Sequence, residues 1–355
     1  MNAKKMKAKK LFLTLALLLL AMSACSKDDG PVDTPVADFE YRYDGDLHGV
    51  VITKYIGRSI NVRIPSEIEA VPVVGIGTHH LTERVNVFDT GVMELHIPDS
   101  VTFIGAGAFG GDMGLRTLIL PSSVTAIGAR AFLNSHITNV ILPETVTSIG
   151  AYAFYDSKIE TITLPNSITA IGEGAFQGSL LTSVTVPSGV TAIEAGTFSR
   201  TPLTSVSLPD ALVSIGEKAF ERTKLTSVTI PASVRSIGDE AFARTQLTRA
   251  TIPNGVRTIG VAAFADTLLT SVTIPSNVTT IEWGAFIGTQ LTSVTIPDSV
   301  TSISAYAFAY TPLTEVAIPE SVTTIAAGAF ANTELDEESR RDILRLQADA
   351  FVGRD

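Results

Sequence analysis

Proline recurs in this chain at a fixed interval, and this interval constrains the fold more than any other feature of the sequence. Ten prolines from Pro121 to Pro319 are each 22 residues apart, and Pro98 lies 23 residues before Pro121. A phenylalanine follows each of these prolines after eleven residues, from Phe109 to Phe330. A period of this length, kept over so many units, is typical of a solenoid, in which each unit forms one coil of a continuous stack.

Each unit contains three groups of apolar residues that one coil cannot bury alone. In one unit they are Leu269, Val272 and Ile274 before the proline, Val278 and Ile281 after it, and finally Ala285 and Phe286. Stacked coils bury these groups against one another, so the sequence predicts a continuous core in which the phenylalanines form a spine.

The residues before each proline predict a short β-strand. The segment from Leu225 to Ile230 is typical, because it is rich in β-branched residues, and the proline ends the strand since it has no N–H for the ladder. Strands of successive coils run parallel, which predicts one sheet roughly 50 Å long. Glycine often follows the next isoleucine, as at Gly150, and we expect a tight bend with positive φ there. Glu194 occupies the same position in another unit, so the bend does not strictly require glycine.

The fuller pattern Ile-Pro-x-x-Val-x-x-Ile-Gly-x-x-Ala-Phe, present from Ile230 to Phe242, resembles the BspA-like (treponemal-type) leucine-rich repeat. The resemblance covers about residues 60–333. It implies an α/β repeat solenoid, a right-handed leucine-rich-repeat coil with one parallel β-sheet. The asparagine that usually follows the strand in such repeats is replaced by residues such as Ser123 and Ser233, and Asn277 alone keeps it. We therefore expect hydroxyl groups or water to satisfy the backbone at this corner.

Both ends of the repeat array depart from its register. Residues 38–62 alternate aromatic and polar side chains from Phe39 to Tyr43, which predicts an N-terminal β-hairpin that covers the first coil. Residues 63–333 hold about 12 units of the solenoid. Residues 334–355 place acids before arginines among apolar residues, which predicts a C-terminal helical cap.

The first residues resemble a bacterial lipoprotein signal. Residues 1–24 join five lysines to the apolar run from Leu11 to Leu20, and the segment from Met22 to Cys25 resembles the box in which the cysteine is lipidated. An ordinary secretory signal followed by a chance cysteine is the alternative. Residues 25–37 are predicted to form a lipidated tether, and no disulfide can form within the chain because Cys25 is its single cysteine.

The tether also contains a predicted export signal. Ser26-Lys27-Asp28-Asp29 resembles the surface-export signal of Bacteroidota lipoproteins, although the same residues suit a solvated linker. The resemblance implies an outer-membrane protein that is held by a lipid anchor alone and faces the cell exterior.

No constellation of residues in the sequence predicts catalysis. Motifs of serine hydrolases, zinc proteases and phosphate-binding loops are absent, and the pair His79-His80 lacks the spaced ligands of a metal site. We expect no catalytic residues, no metal and no cofactor, and we interpret the histidine pair as part of a surface loop. A net charge of −10 makes nucleic acid a poor partner.

The outward positions of the predicted strands are the candidate binding face. Alternation buries leucine, valine and isoleucine and exposes a nearly uncharged surface of hydroxyl groups. Its predicted residues are Thr182, Thr185, Thr204, Thr226, Thr229, Thr248, Thr251, Thr270, Thr273, Thr292 and Thr295. Threonine also suits strands and forms cross-strand ladders, so a purely structural role is the alternative. Trp283 is a second candidate contact, in a position that we equate with Lys218 and Tyr306.

The family resemblance implies adhesion, with many weak contacts along a rigid sheet. Partners would be host matrix or cell-surface proteins, or another bacterium. The alternative is a glycan-binding accessory lipoprotein of a nutrient-uptake system, which aromatic platforms on one face would favour. An aromatic content of 7%, mostly the phenylalanine column, argues against that alternative.

Overall fold

The computed structural model describes residues 32–78, 86–88, 91–347 and 350–351, and these form one stack of coils. Most coils contribute a three-residue strand just before the proline, and these strands pair in parallel in four groups that follow one another along the stack as a first ladder. They are Asn61–Arg63, Glu94–His96, Thr117–Ile119, Asn139–Ile141, Ser183–Thr185, Ser205–Ser207, Ser227–Thr229, Arg249–Thr251, Ser271–Thr273, Ser293–Thr295 and Glu315–Ala317. In the described chain, the coil at residues 159–164 lacks this strand.

A second parallel ladder follows the proline and was not anticipated from the sequence. Its strands have two residues each and end at the isoleucine before the usual glycine. They are Phe103–Ile104, Ala126–Ile127, Ser148–Ile149, Ala170–Ile171, Ala192–Ile193, Ser214–Ile215, Ser236–Ile237, Thr258–Ile259, Thr280–Ile281, Ser302–Ile303 and Thr324–Ile325. Two residues are too few to show alternation, so the pattern alone could not reveal them.

The register of both ladders places identical repeat positions side by side. Val228 pairs with Ala250 in the next coil, and Ala250 pairs with Val272 in the one after. In the second ladder, Ile215 pairs with Ile237 in the same way. Each repeat position therefore forms a column that runs along the whole stack.

The predicted phenylalanine spine is confirmed. The ring centroids of neighbouring phenylalanines from Phe88 to Phe330 are 4.9 to 5.7 Å apart, and the rings are stacked. Tyr55 extends the spine at one end, 6.0 Å from Phe88, and Phe351 extends it at the other, 6.4 Å from Phe330. The spine links the coils to both ends of the array through one apolar core.

The expectation of positive φ at the recurring glycines is wrong. Gly150 does not have a positive φ, whereas Tyr152, two residues later, has φ 57°. A Cβ atom on Gly150 would lie 2.5 Å from the backbone nitrogen of Ala129 in the preceding coil. Glycine is therefore used here because the backbones of adjacent coils approach closely.

Hydroxyl groups replace the usual asparagine at the corner after the strand, as expected. The Ser123 hydroxyl donates to the Val101 carbonyl at 2.6 Å, and the Ser233 hydroxyl donates to the Leu212 carbonyl at the same distance. Asn277 donates its side-chain amide to the Asn254 carbonyl. A short hydroxyl side chain reaches only the carbonyl of the preceding coil, so it ties the two coils together.

The N-terminal β-hairpin is confirmed. Strands β1 (Phe39–Asp44) and β2 (Gly49–Tyr55) pair antiparallel, after a 3-10 turn at Val36–Asp38, and β2 pairs in parallel with Val71–Ile76. Val71–Ile76 also forms a small antiparallel pair with Glu67–Ile68.

The C-terminal helix is also confirmed, as α1 (Glu337–Leu346). The Asp336 carboxylate caps α1 by accepting from the Ser339 N–H at 2.9 Å, and the Ser339 hydroxyl accepts from the Val316 N–H of the last coil. In the described part of the chain, α1 is the one α-helix, and the coils return through turns.

Candidate binding face

All eleven predicted face threonines are exposed, in one column just before the strands of the first ladder and one column at the last residue of those strands. A third exposed column lies between them and was missed, because strict alternation does not allow two consecutive outward residues. Its serines are Ser183, Ser205, Ser227, Ser271 and Ser293. The three columns together form a surface of hydroxyl groups, which we call the hydroxyl face.

The threonine column nearer the leucine has a structural role. The Thr204 hydroxyl donates to the Thr182 carbonyl at 3.1 Å, and the Thr314 hydroxyl donates to the Thr292 carbonyl at 3.2 Å. The same carbonyls also accept the backbone N–H of the next coil. Part of the predicted face therefore does form the cross-strand ladder that was the structural alternative.

The column nearer the proline differs in this respect. The hydroxyl groups of Thr185, Thr229, Thr251, Thr273 and Thr295 are exposed and form no hydrogen bond with the described residues. Their donors and acceptors are available to a partner. These threonines and the serine column are thus the chemically available part of the hydroxyl face.

The face changes character toward the N-terminus. Ile119 occupies the column of Thr185 and is 45% exposed, and Met93 occupies the column of Thr182 and is 60% exposed. Arg116 and Glu160 interrupt the threonine column before Thr182. The nearly continuous hydroxyl surface therefore begins near residue 182.

Charged residues are concentrated on the opposite, turn side of the coils. The buried Glu221 carboxylate accepts from Arg222 and from Arg244 in the next coil, each at 3.1 Å. Glu240 and Asp266 also contact Arg244. Opposite charges in adjacent coils satisfy one another here, so this cluster joins coils and offers little unpaired charge to a ligand.

Trp283 lies on this side as well, 45% exposed, with its ring 5.9 Å from that of Tyr306 in an edge-on contact. It lies eight residues after its proline, whereas Lys218 and Tyr306 lie nine after theirs. Our assignment of Trp283 to their position is therefore wrong. The aromatic pair forms between neighbouring columns and lies outside the hydroxyl face.

A buried carboxylate lies near the N-terminal end of the array, where one unit is longer by one residue. Asp112 is 1% exposed, and its Oδ1 accepts from the Gly114 N–H at 2.7 Å and from the Leu115 N–H at 3.1 Å. Its Oδ2 has no partner among the described residues. Burial raises the pKa of Asp112 above its usual value, although these N–H groups and the nearby His136 act in the opposite direction.

We expect Asp112→Asn to stabilise the fold at pH 7. A carboxyl whose pKa is raised by folding binds its proton more tightly in the folded state, so its contribution favours folding at low pH and is lost as pH rises. Asparagine keeps the accepting oxygen without the charge. The gain over wild type, measured by urea denaturation, should shrink as pH falls toward 4, and a pH-independent difference would contradict this account.

Several predicted features lie outside the described residues, namely Cys25, the signal and most of the tether, and His79 and His80. Among the described residues, no group of three or more histidine, cysteine, aspartate or glutamate side chains is arranged to hold a metal ion. None of the described helices has the length and apolar character needed to cross a membrane.

Comparison with solved structures finds bacterial repeat proteins that align over nearly the whole chain. A leucine-rich cell surface protein from Faecalibacterium prausnitzii is 26% identical and matches 92% of this chain and 100% of its own, with a TM-score of 0.48. A leucine-rich repeat protein from Bacteroides ovatus is 21% identical and matches 90% and 98%, with a TM-score of 0.49. The pneumococcal vaccine antigen PcpA is 17% identical and matches 93% and 100%, with a TM-score of 0.42.

No curated protein matches the chain. The model of the BspA-type leucine-rich repeat region matches residues 87–202, 125–247, 191–314 and 235–354, which together span most of the described coils. The matched segments contain the proline register, the phenylalanine spine and both ladders except the strand Asn61–Arg63. The chain therefore belongs to the BspA-type leucine-rich repeat family.

Proposed function

We propose that this protein is a cell-surface adhesin that binds protein partners through the hydroxyl face. Membership of a leucine-rich repeat family supports protein binding or adhesion as the general role. It also favours a binding scaffold over an enzyme. The observation that carries the finer proposal is the row of exposed threonine and serine hydroxyls without internal partners. A rigid parallel sheet holds these groups in a fixed array, so binding them costs little conformational entropy.

The anchoring of the adhesin is part of the same proposal. Lipidation at Cys25 would hold the chain at the outer membrane, and the tether up to residue 37 would separate the solenoid from the lipid. The exterior-facing orientation follows from the resemblance of Ser26-Lys27-Asp28-Asp29 to a surface-export signal. Host matrix proteins, host cell surfaces and other bacteria are the partners accessible from that position.

The test compares two double variants of the chain from residue 26 to residue 355, which contains every described residue. Thr229→Lys with Thr251→Lys places two cations on the hydroxyl face in adjacent coils. Thr258→Lys with Thr280→Lys places two cations in adjacent coils on the second ladder, after the proline, where Thr258 is exposed and Thr280 is half-buried. We expect saturable binding to immobilised matrix proteins or mucins that the first variant weakens about tenfold or more, because each buried unpaired charge is costly, while the second leaves it unchanged.

Equal loss in both variants would mean that the hydroxyl face is not the contact surface. A panel that includes polysaccharides also tests the alternative role. Saturable binding to a polysaccharide alone would support the glycan-binding accessory of a nutrient-uptake system and contradict the adhesin.

A further inference from the structure

Two charged side chains interrupt the hydroxyl face between residues 182 and 317, a range that the structure describes throughout. Arg249 and Glu315 are both exposed, and both take a position of the serine column. They lie three coils apart, about 15 Å at the usual spacing of strands. One cation and one anion therefore lie in one column, with Ser271 and Ser293 between them.

Opposite charges in a single column are self-complementary under a twofold rotation. A twofold axis parallel to the strands can be placed between Ser271 and Ser293, in front of the face. Rotation about this axis brings a second copy face to face with the first, with its coil order reversed. Each Arg249 then lies opposite the Glu315 of the other copy, as a symmetric dimer requires. We propose that the partner of the hydroxyl face is a second copy of this chain, bound in this antiparallel register.

A second charge pair fits the same axis independently. Lys224 and Glu334 are exposed and flank the face, each just before a buried leucine, five coils apart. The midpoint between their coils coincides with the midpoint for Arg249 and Glu315. The rotation therefore also brings each Lys224 opposite the Glu334 of the other copy.

The remaining contacts of this register contain no facing pair of like charges. On the other flank, Asp298 lies opposite Ser276. Glu320 likewise lies opposite Asn254, so each carboxylate meets a hydrogen-bond donor. At the centre, Thr273 lies opposite Thr295, and hydroxyl groups serve as both donors and acceptors.

Other registers lose this complementarity. Shifting the pairing by one coil toward the N-terminus places Arg249 opposite Ser293 and Glu315 opposite Ser227. Both charges then face neutral hydroxyls. Charge complementarity therefore selects one register. The hydroxyl groups can pair in this register because they both donate and accept hydrogen bonds.

The size of the overlap indicates a weak complex. Six coils from Leu225 to Leu335 give a contact about 30 Å long and about 20 Å wide, or about 1,200 Å² in total, at the lower limit of stable interfaces. Overlap of the C-terminal halves in opposite directions leaves the two N-termini at opposite ends of the pair. Two copies tethered by their N-termini to two facing surfaces would meet in this way, so the inference rests on the proposed adhesive function and names its partner.

The test is a charge exchange measured by sedimentation velocity on residues 26–355 at low salt. Wild type should form a reversible dimer. Arg249→Glu alone places two carboxylates opposite each other, and Glu315→Arg alone does the same with two guanidinium groups, so each should weaken association about tenfold or more. The double variant, and an equimolar mixture of the two single variants, should restore it, because both arrangements again pair opposite charges.

Wild type that stays monomeric to millimolar concentration would overturn the proposal, as would single variants that associate like wild type. Loss of association in the single variants without rescue in their mixture would also overturn it. Charge pairing predicts rescue in the mixture, whereas damage to the folded surface does not. Measuring binding to immobilised matrix proteins and mucins distinguishes failure of this inference from failure of the proposed adhesive function. The wild-type protein could bind matrix proteins or mucins without associating with itself, and Thr229→Lys with Thr251→Lys could remove that binding. This result would support the adhesive face and reject the second copy as its partner.

Discussion

Phe242→Ala is expected to lower the free energy of unfolding by about 3–5 kcal/mol. The ring is fully buried, 5.3 Å from Phe220 and 5.4 Å from Phe264. Its removal leaves a cavity in the middle of the spine, where both neighbours are held by their own coils and cannot close the gap. Each coil is stabilised mainly by its contacts with the next, so the defect weakens both interfaces of one coil.

The control for this experiment is Trp283→Ala, which removes a larger aromatic ring from a site that is 45% exposed. We expect it to change stability by less than about 1 kcal/mol, since partly exposed side chains contribute little packing. Thermal and urea denaturation measure both variants. A midpoint for Phe242→Ala that matches wild type would contradict the role of the spine.

Repetition made most of the architecture predictable from the sequence. The proline interval sets the coil length, and the phenylalanine eleven residues later marks a position that stays in register over the whole array. Identical side chains at identical positions then stack in columns, as Phe242 does on Phe220. The ends were predictable for the opposite reason, because residues 38–62 and 334–355 leave the register where a cap is needed.

Features that depend on contacts between coils were not predictable from one unit. The two-residue strands of the second ladder are too short for a pattern, and the serine column breaks the alternation expected of a strand. The role of the glycines was misjudged because a single unit shows a turn at that point, whereas the constraint comes from the coil below. Thr248 and Thr251 look alike in sequence, yet the Thr248 hydroxyl donates to Thr226 and the Thr251 hydroxyl has no such bond.

The candidate binding face also has features that the sequence predicts and features that only the structure shows. Its position on the outward strand residues follows from the repeat, and all eleven predicted threonines are exposed. The availability of each hydroxyl depends on its distance to a carbonyl of the preceding coil, which only the structure provides. The complementarity of Arg249 and Glu315 likewise requires the columns to be in register, because 66 residues separate the two in the chain.

The glycine that follows the second-ladder isoleucine lies where the backbones of two coils approach closely. The ring spacing is 4.9 Å between Phe132 and Phe154, the pair of coils joined through Gly150. It is 5.7 Å between Phe264 and Phe286, where Glu282 occupies the glycine position, and 5.5 Å between Phe308 and Phe330, where Ala326 does. Gly216 occupies this position between Phe198 and Phe220, yet the spacing there is also 5.5 Å. Glycine therefore permits the closest approach of two coils but does not fix their spacing by itself.

Gly150→Ala should cost about 1–3 kcal/mol of stability, because overpacking forces the backbone to move. The new Cβ would lie 2.5 Å from the Ala129 nitrogen and 2.7 Å from the Gly128 carbonyl carbon, and no flexible side chain can yield there. Since φ at Gly150 is not positive, backbone strain does not add to this cost, and the lower entropy of the unfolded alanine variant offsets only about 0.4–1 kcal/mol of it. Ala326→Gly is the matched control and should cost only about 0.5–1 kcal/mol through backbone entropy. Equal costs in urea denaturation would refute the contact. A larger cost for Gly150→Ala, together with a wider Phe132–Phe154 spacing, would support the role of glycine in this close approach.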